Sequence, residues 1–220
     1  MIGSQGELAG LFESLDTTSV SDAMDRLGIR GACHGITPVV SGVRAVGPAF
    51  TVKYRARGLN CGGIGDFIDD VEPGQVIVID NGGRTYCTVW GDLMTMVAGR
   101  RGISGTVIDG VCRDVPGILK ARYPIYTRGC YMATGKDRVE FEAANVQVSI
   151  SDIGVKPGDI MVCDDSGVVV VPLERAEEVA AAALAIDQAE RKMFEFLEQG
   201  MTLREARAKM GYSHLQSRQN

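Results

Sequence analysis

The sequence predicts an α/β protein with a single β-rich domain, residues 1–172, followed by a helical C-terminal extension, residues 173–220. The 28 glycines fall between short runs of β-branched residues, a pattern typical of strands joined by tight turns. The last quarter of the chain instead repeats apolar residues at spacings of three and four, which is typical of an amphipathic helix. A chain of 220 residues with 45% hydrophobic and 23% charged residues also fits a globular domain with its own core.

Eight β-rich runs in the body are predicted to be strands. In chain order they are residues 49–54, 75–80, 85–89, 106–109, 125–128, 145–150, 159–163 and 167–171. Pro73-Gly74 and Pro157-Gly158 each precede one of these runs, and a proline followed by a glycine favours a tight turn. We therefore expect most of the core to be a sheet.

Capping and stop signals predict five helices. They are a helix capped by Ser19–Asp22 and ending at Gly28, a helix from Asp92 to Arg101, a helix capped by Asp114 and entered by Pro116, a long helix from Leu173 to Gln199, and a last helix opened by the Thr202–Glu205 capping box and ending at Gly211. The long helix carries an apolar stripe from Val179 to Phe196 that must be covered. It either packs on its own body or reaches a neighbouring subunit.

Charge and hydropathy exclude several classes of protein. The net charge is −5 without a basic tract, which argues against a nucleic-acid partner. The longest apolar run, Val179 to Ile186, is far shorter than the roughly 20 residues that span a membrane. The N-terminus lacks a basic segment followed by an apolar one. We therefore expect a soluble, uncleaved, cytoplasmic protein.

The six cysteines are interpreted as buried free thiols, because their spacing contains no C-x-x-C pair, several lie in apolar runs, and no leader points to an oxidising compartment. The sequence has only two histidines, His34 and His214, which leaves little for a histidine metal site or a catalytic triad. A metal, if present, is expected to be held by oxygen, which favours Mg²⁺ or Mn²⁺.

The segment Gly91-Asp92-Leu93-Met94 is predicted to form an anion site. It follows a strand and opens a helix, so the N–H groups of Leu93 and Met94 are free and lie at the positive end of the helix dipole. If the strands before Gly91 and Arg113 are neighbours, Arg113 and Asp114 lie level with this site. Arg113 could then grip a carboxylate and Asp114 hold a cation.

A plainer interpretation stays open for the same residues. Asp114 could simply cap a helix, Asp92 could complement the helix dipole, and Arg113 could be a solvated partner of either.

Taken together, these residues resemble the signature of the RraA-like family, which contains the 4-hydroxy-4-methyl-2-oxoglutarate / 4-carboxy-4-hydroxy-2-oxoadipate aldolases and the ribonuclease E activity regulators. The family hallmark is an aspartate, twenty intervening residues and then Arg-Asp, and it is matched by Asp92, Arg113 and Asp114. Similar segments occur at residues 18–28 and 47–52, and the resemblance extends over roughly residues 8–200.

The resemblance implies a swivelling β/β/α sandwich that assembles into trimers or hexamers. It also implies a class II aldolase that uses Mg²⁺ or Mn²⁺ to cleave a 4-hydroxy-2-oxo acid to pyruvate, with possible decarboxylation of oxaloacetate. Asp114 would be the metal ligand, and Arg113 would hold the keto oxygen. Leu93 and Met94 would take the carboxylate at the turn formed by Gly91, and Asp92 would orient a water. The alternatives are a non-catalytic protein-binding regulator and a lyase or isomerase for another 2-oxo acid.

Two further expectations follow from the resemblance. An acidic residue from the C-terminal helix of a neighbouring subunit would reach the metal through water, with Glu190 the first candidate and Glu195 the second. The glycine-rich segment Gly58 to Gly65 departs from the family pattern, in which an Asn is followed by Ile-His, because it contains no histidine, and this leaves the substrate open.

Overall fold

The strands and helices alternate through the middle of the chain. A computed structural model describes residues 4–58 and 66–210. Its strands are β1 (Thr37–Pro38), β2 (Ala45–Ala56), β3 (Val76–Thr88), β4 (Gly105–Val111), β5 (Ile125–Thr127), β6 (Val139–Ala144), β7 (Val148–Ile150), β8 (Ile153–Val155), β9 (Ile160–Asp164) and β10 (Gly167–Val171). Its helices are α1 (Gln5–Gly10), α2 (Thr17–Arg26), α3 (Asp92–Arg100), α4 (Val115–Ala121), α5 (Ala176–Glu198) and α6 (Leu203–Met210), with 3₁₀ turns at Phe67–Asp70 and Leu173–Arg175.

One mixed sheet has the order β1-β5-β4-β3-β2-β9-β10, and β6 also pairs with β2. The strands β2, β3, β4 and β5 are parallel neighbours, whereas β2, β9 and β10 are antiparallel. Strand β2 belongs to both halves, because Ala45–Pro48 pair with β9 and Ala49–Lys53 pair with β3. This confirms the predicted α/β sandwich.

Alternating side chains on the strands separate three apolar cores. On β3, Ile77 and Ile79 pack beneath α3 and α4, whereas Val76 and Val78 face the core between the two halves of the sheet. On β10, Val169 and Val171 pack against α1, α2 and α5. The result is a layer of helices on each outer side of the folded sheet.

The long helix α5 packs against the chain's own body. Val179, Ala183 and Ile186 are at most 1% exposed and lie in one core with α2 and β9. At the end of the stripe, Phe196 lies beneath the Lys209 ammonium of α6, 4.1 Å from the ring centre. The stripe is thus covered within the chain, which is the first of the two predicted alternatives, and it supplies no argument for a partner subunit. The division of the chain at residue 172 stays a prediction.

Several predicted boundaries were wrong for local reasons. Helix α2 begins at Thr17, because the Asp16 side chain accepts the Ser19 N–H at 2.7 Å and caps the helix earlier than predicted. The runs 75–80 and 85–89 form the single strand β3, which has two register irregularities opposite β4. Helix α5 starts at Ala176, after a 3₁₀ turn. Strands β1, β6 and β8 were not predicted.

Other predictions were confirmed. The Thr202 capping box is present, since Thr202 and Glu205 exchange side chain to backbone hydrogen bonds of 2.9 and 3.4 Å. The segment 59–65, His214 and the predicted helix end at Gly211 lie outside the described residues. None of the helices in the described part of the chain is both long and apolar enough to span a bilayer.

Candidate functional site

Parallel pairing of β3 and β4 brings the two predicted segments together. Thr88 is the register partner of Val111, so the turn after β3 lies beside the turn after β4. The Arg113 N–H donates to the Trp90 carbonyl at 3.1 Å, which joins the two turns directly. The expectation that Arg113 and Asp114 lie level with the start of α3 is therefore confirmed.

Helix α3 begins with backbone N–H groups ahead of its own hydrogen-bond ladder. The ladder starts where the Thr95 N–H donates to the Gly91 carbonyl at 3.1 Å, so the N–H groups of Leu93 and Met94 precede it. Gly91 at the N-cap has an extended backbone and no side chain that could accept hydrogen bonds from these N–H groups. The start of α3 therefore offers donors and a positive dipole end to an anion.

Asp114 reaches across to this helix. Its Oδ2 lies 3.3 Å from the Arg113 Nε and accepts a long hydrogen bond of 3.4 Å from the Asp92 N–H. Asp114 occupies the N-cap position of α4, but its side chain makes no capping hydrogen bond there. Its backbone is left-handed, with φ 58°, a strained conformation that is found often at functional sites. Capping of α4 therefore does not explain the position of the Asp114 side chain.

Two glycines permit the close approach of α3 and α4. A Cβ atom on Gly91 would lie 2.5 Å from the Asp114 Oδ2, and one on Gly117 would lie 2.8 Å from the Asp92 Cβ. Both distances are below normal contact, so these positions require glycine while Asp92 and Asp114 keep their places. Gly91 was singled out from the sequence for its N–H groups, whereas Gly117 was missed.

A buried hydrogen-bond relay fixes the start of α3. Trp90 Nε1 donates to Thr95 Oγ1 at 2.9 Å, and Thr95 Oγ1 donates to the Gly91 carbonyl at 3.0 Å. The Trp90 ring stacks on Tyr123, with centroids 6.3 Å apart, and burial raises the pKa of Tyr123. Sequence reasoning missed this relay, although the chain's only tryptophan stands directly before Gly91.

Arg113 and Asp114 are accessible to a ligand. Their side chains are 41% and 40% exposed, and both line a cavity of about 390 Å³ together with Cys130, Tyr131 and Met132. A second groove, of about 670 Å³, runs between α3 and α4 from Asp92 to Arg100 and Lys120. Leu93 and Met132 beside these openings are 73% and 74% exposed.

Two cysteines adjoin the same residues. Cys112, immediately before Arg113, is fully buried, whereas Cys130 is exposed, and their sulfur atoms are 3.8 Å apart. Burial raises the pKa of Cys112 to about 12, and the neighbouring Cys130 thiol adds to this effect. The described cysteines are all free thiols, as the sequence predicted, but the prediction that they are buried was wrong for Cys130, because it lies in the exposed segment that follows strand β5. Cys61 lies outside the described residues.

The carboxylates of α5 are not brought to Asp114 within one chain. Glu190 lines a groove between α5 and α6 with Met193, Leu203 and Arg207. No residue of α5 lines either cavity at the start of α3, and Glu195 is exposed. A role for either glutamate in a neighbouring subunit stays a prediction.

The donor set of a single chain fits a hard cation only in part. Within residues 4–58 and 66–210, no three His, Cys, Asp or Glu side chains are grouped closely enough to hold a metal. The half-exposed Asp114 carboxylate nevertheless supplies the oxygen that Mg²⁺ prefers, and Mg²⁺ typically keeps several waters and needs one or two carboxylates.

Comparison with known protein families gives a match over most of the chain. The sequence model of the RraA-like family, described as Aldolase/RraA, matches residues 17–170. Protein DlpA of Legionella pneumophila is 40% identical over 195 residues, which cover 87% of this chain and 32% of that protein. The chain thus spans about a third of that relative's length. A Halalkalibacterium halodurans protein with the provisional name 4-hydroxy-4-methyl-2-oxoglutarate aldolase is 34% identical, and the match covers 78% of this chain and 80% of that protein.

Solved structures agree with this fold. An uncharacterised protein from Pseudomonas syringae pv. tomato is 46% identical, with a TM-score of 0.86 over 91% of this chain and 96% of that one. Streptomyces coelicolor RraAS2, described as an unusual member of the RNase ES inhibitor RraA protein family, is 29% identical. Its TM-score is 0.76 over 84% of this chain and 94% of that one.

Proposed function

The chain belongs to the RraA-like family, and from this premise we propose that it is a divalent-metal-dependent lyase cleaving a 4-hydroxy-2-oxo acid to pyruvate. The observation that carries the proposal is the contact of the Asp114 carboxylate with Arg113 and with the first N–H of α3. This contact supports the proposal because it joins a carboxylate, a guanidinium and the N-terminus of a helix, the three groups that a metal-bound 2-oxo acid would require. The provisional aldolase name of the Halalkalibacterium relative supports the same reaction class.

Each residue has a role in this proposal. The N–H groups of Leu93 and Met94 bind the substrate carboxylate at the turn formed by Gly91. The Arg113 guanidinium holds the 2-oxo oxygen as it gains negative charge, and Asp92 orients a water that carries a proton to the enolate carbon. Asp114 holds the divalent cation, Mg²⁺ or Mn²⁺, which when bound supplies further positive charge opposite the developing enolate.

The chemistry of this cleavage balances without a redox partner. The water oriented by Asp92 takes the proton of the C4 hydroxyl, C4 becomes a carbonyl carbon as the C3–C4 bond breaks, and the electron pair of that bond forms the enolate, whose charge lies on the 2-oxo oxygen. A proton delivered to C3 then gives the methyl group of pyruvate. Oxaloacetate decarboxylation passes through the same enolate with CO₂ leaving, so we propose it as a second activity of the site. Which 2-oxo acid is the natural substrate is set by contacts beyond this shared pyruvate unit.

We further propose a homotrimer or hexamer in which the site is completed by a second copy. Leu93 lines the groove between α3 and α4, Met132 lines the cavity beside Arg113, and both expose large apolar side chains to solvent. A neighbouring subunit that covers these side chains could also supply a second carboxylate for the cation held by Asp114, with Glu190 as the candidate.

A second candidate function comes from the likeness to RraAS2. A chain with this fold could act as a protein-binding regulator without catalysis, and the RNase ES inhibitor relation of that neighbour favours such a role. The distinguishing experiment is a pull-down with a ribonuclease. A stoichiometric complex with unmeasurable lyase activity would support the regulator.

Pyruvate release tests the proposed lyase directly. Purified protein is assayed with Mg²⁺ or Mn²⁺ on 4-hydroxy-4-methyl-2-oxoglutarate and on oxaloacetate, and Asp114→Asn serves as the inactive variant. Asparagine keeps the shape and tolerates the left-handed backbone, so the fold should survive while metal-dependent turnover is lost. Absence of turnover on either substrate in the wild type, or full turnover in Asp114→Asn, contradicts the assignment.

A further inference from the structure

We propose that Cys112 and Cys130 are an oxidisable thiol pair that closes a disulfide beside Arg113 when the protein meets a hydroperoxide. Their sulfur atoms are in contact at 3.8 Å, and one of the two cysteines lines the same cavity as Arg113 and Asp114.

The backbone holds the two cysteines at a spacing that suits a disulfide. Cys112 and Cys130 are partners in a parallel bridge, in which the Cys112 N–H donates to the Gly129 carbonyl at 3.2 Å and the Tyr131 N–H donates to the Cys112 carbonyl at 2.9 Å. Neighbouring strands lie about 4.7–4.9 Å apart, within the roughly 4.4–6.8 Å between Cα atoms that a disulfide bridges. The sulfur atoms need to approach by about 1.8 Å to reach the bond length of about 2.05 Å.

The two cysteines differ in access, which suits a two-step oxidation. Cys130 is exposed and can meet the oxidant, whereas Cys112 is buried directly beneath it. Cys33, Cys87 and Cys163 are buried as well, and the Cys33 thiol donates to the Gly31 carbonyl. Among the described cysteines, the exposed thiol is therefore the one that has another thiol in contact with it.

The oxidation balances with one hydroperoxide. The Cys130 sulfur attacks the peroxide oxygen, the O–O bond breaks, and Cys130 becomes a sulfenic acid while water, or an alcohol from an organic peroxide, leaves. The Cys112 thiol then attacks the Cys130 sulfur, the S–O bond breaks, and a second water leaves with the thiol proton. The pair loses two hydrogen atoms in total, and a dithiol reductant restores both thiols.

Closing this bond should disturb the site. Arg113 follows Cys112 directly, and its N–H donates to the Trp90 carbonyl. A movement of the Cys112 backbone toward Cys130 should therefore displace both the turn after β4 and the turn after β3. A displacement of about 1 Å in an active site lowers the rate by up to about 100-fold. We expect the oxidised protein to lose about 10- to 100-fold in kcat/KM, an effect that rests on the proposed lyase function.

The test treats the purified protein with hydrogen peroxide and maps its peptides by mass spectrometry without reduction. The expected result is a linked pair of peptides containing Cys112 and Cys130, lighter by two hydrogen atoms and separated again by dithiothreitol. Hydrogen exchange over residues 111–116 should become faster in the oxidised form. Both measurements are independent of turnover, so they succeed or fail whether or not the protein is a lyase.

Matched variants separate this pair from general oxidation. In Cys130→Ser, the linked peptide and the peroxide response of exchange should both disappear. Cys33→Ser keeps a donor to the Gly31 carbonyl, and it should retain both responses. Cys130 recovered as a sulfinic acid with Cys112 still reduced, or no linked peptide, would overturn the proposal. A linked peptide with unchanged exchange at 111–116 and unchanged turnover would overturn the coupling to the site.

Discussion

Replacement of Gly91 by alanine tests whether the position of Asp114 matters for activity. The new Cβ would lie 2.5 Å from the Asp114 Oδ2, whereas ordinary contact begins at 3.4 Å, so the carboxylate has to retreat by about 0.9 Å. The backbone at Gly91, with φ −149° and ψ −165°, is extended and accessible to alanine. The substitution therefore moves a side chain without straining the main chain.

The expected loss is large for activity and small for stability. A displacement of nearly 1 Å in an active site corresponds to a loss of up to about 100-fold in kcat/KM. The Asp114 side chain is 40% exposed and can turn toward solvent, so we expect Gly91→Ala to cost less than about 1 kcal/mol in unfolding free energy. For a domain of this size, that corresponds to a fall in Tm of no more than about 2–4 °C.

Gly99, in the same helix, provides a matched control. A Cβ on Gly99 would meet no atom within 4 Å, and alanine in a helix is favoured over glycine by about 0.5–1 kcal/mol. Gly99→Ala should therefore raise Tm slightly and leave Mn²⁺ affinity unchanged. Pyruvate release, Mn²⁺ binding measured by electron paramagnetic resonance, and thermal unfolding are compared for both variants. If Gly91→Ala folds and keeps wild-type turnover and Mn²⁺ affinity, Asp114 does not hold the metal and the reasoning fails.

Substitutions at three further positions test the relay, the assembly and the last helix. Thr95→Val leaves the buried Trp90 N–H without its acceptor, which should lower the unfolding free energy by about 1–3 kcal/mol and also lower kcat. Thr95→Ser should restore both. Equal Tm values for the wild type, Thr95→Val and Thr95→Ser would contradict the relay. Glu190→Gln should reduce activity about 10- to 100-fold without dissociating the proposed oligomer, which light scattering would measure. Mixing it with Asp114→Asn should recover activity if the site is shared between subunits. No recovery despite proven subunit exchange would place Glu190 outside the site. Thr202→Ala should cost about 0.5–2 kcal/mol, seen as a lower Tm, because it removes the cap of α6, and an unchanged Tm would count against that cap.

Local signals predicted most elements of the fold but not their full extent. Helix α3 and strand β10 lie within a residue of the predicted bounds, because a glycine or a dense run of valines marks their ends. Strand β6 was missed because its sequence, Val139-Glu140-Phe141-Glu142, contains two glutamates. Their basic partners, Lys53 and Arg55, lie far away in the sequence on β2. Arg55 Nε donates to the buried Glu140 at 2.8 Å, a contact between distant parts of the chain that no local pattern contains.

The candidate site was likewise predicted only in part. The N–H groups at the start of α3 could be predicted, because a glycine between a strand and a helix is a local feature. That Asp114 lies level with α3 was predicted on the condition that the two strands are neighbours. Its direct contact with α3 depends on the register of β3 and β4 and on a left-handed backbone at Asp114, and no local sequence pattern specifies either. The Thr95 relay was missed because a threonine inside a helix gives no sign that it bonds to the preceding turn.

The charges around Asp114 favour an anion and a cation together over either alone. The start of α3 and the Arg113 guanidinium both attract negative charge, and the Asp114 carboxylate already satisfies part of that attraction. An anion bound without a cation would meet the like charge of Asp114 nearby, and a cation bound without an anion would meet Arg113. A small carboxylate that binds together with a divalent cation would resolve both conflicts, because the cation would neutralise Asp114 while Arg113 and the N–H groups of α3 would hold the anion. Binding of a 2-oxo acid should therefore be tighter with Mg²⁺ present than without it, and Mg²⁺ binding should be tighter by the same factor with the acid present. Calorimetric titrations in both orders measure the two factors, and independent binding of acid and metal would contradict this account of the site.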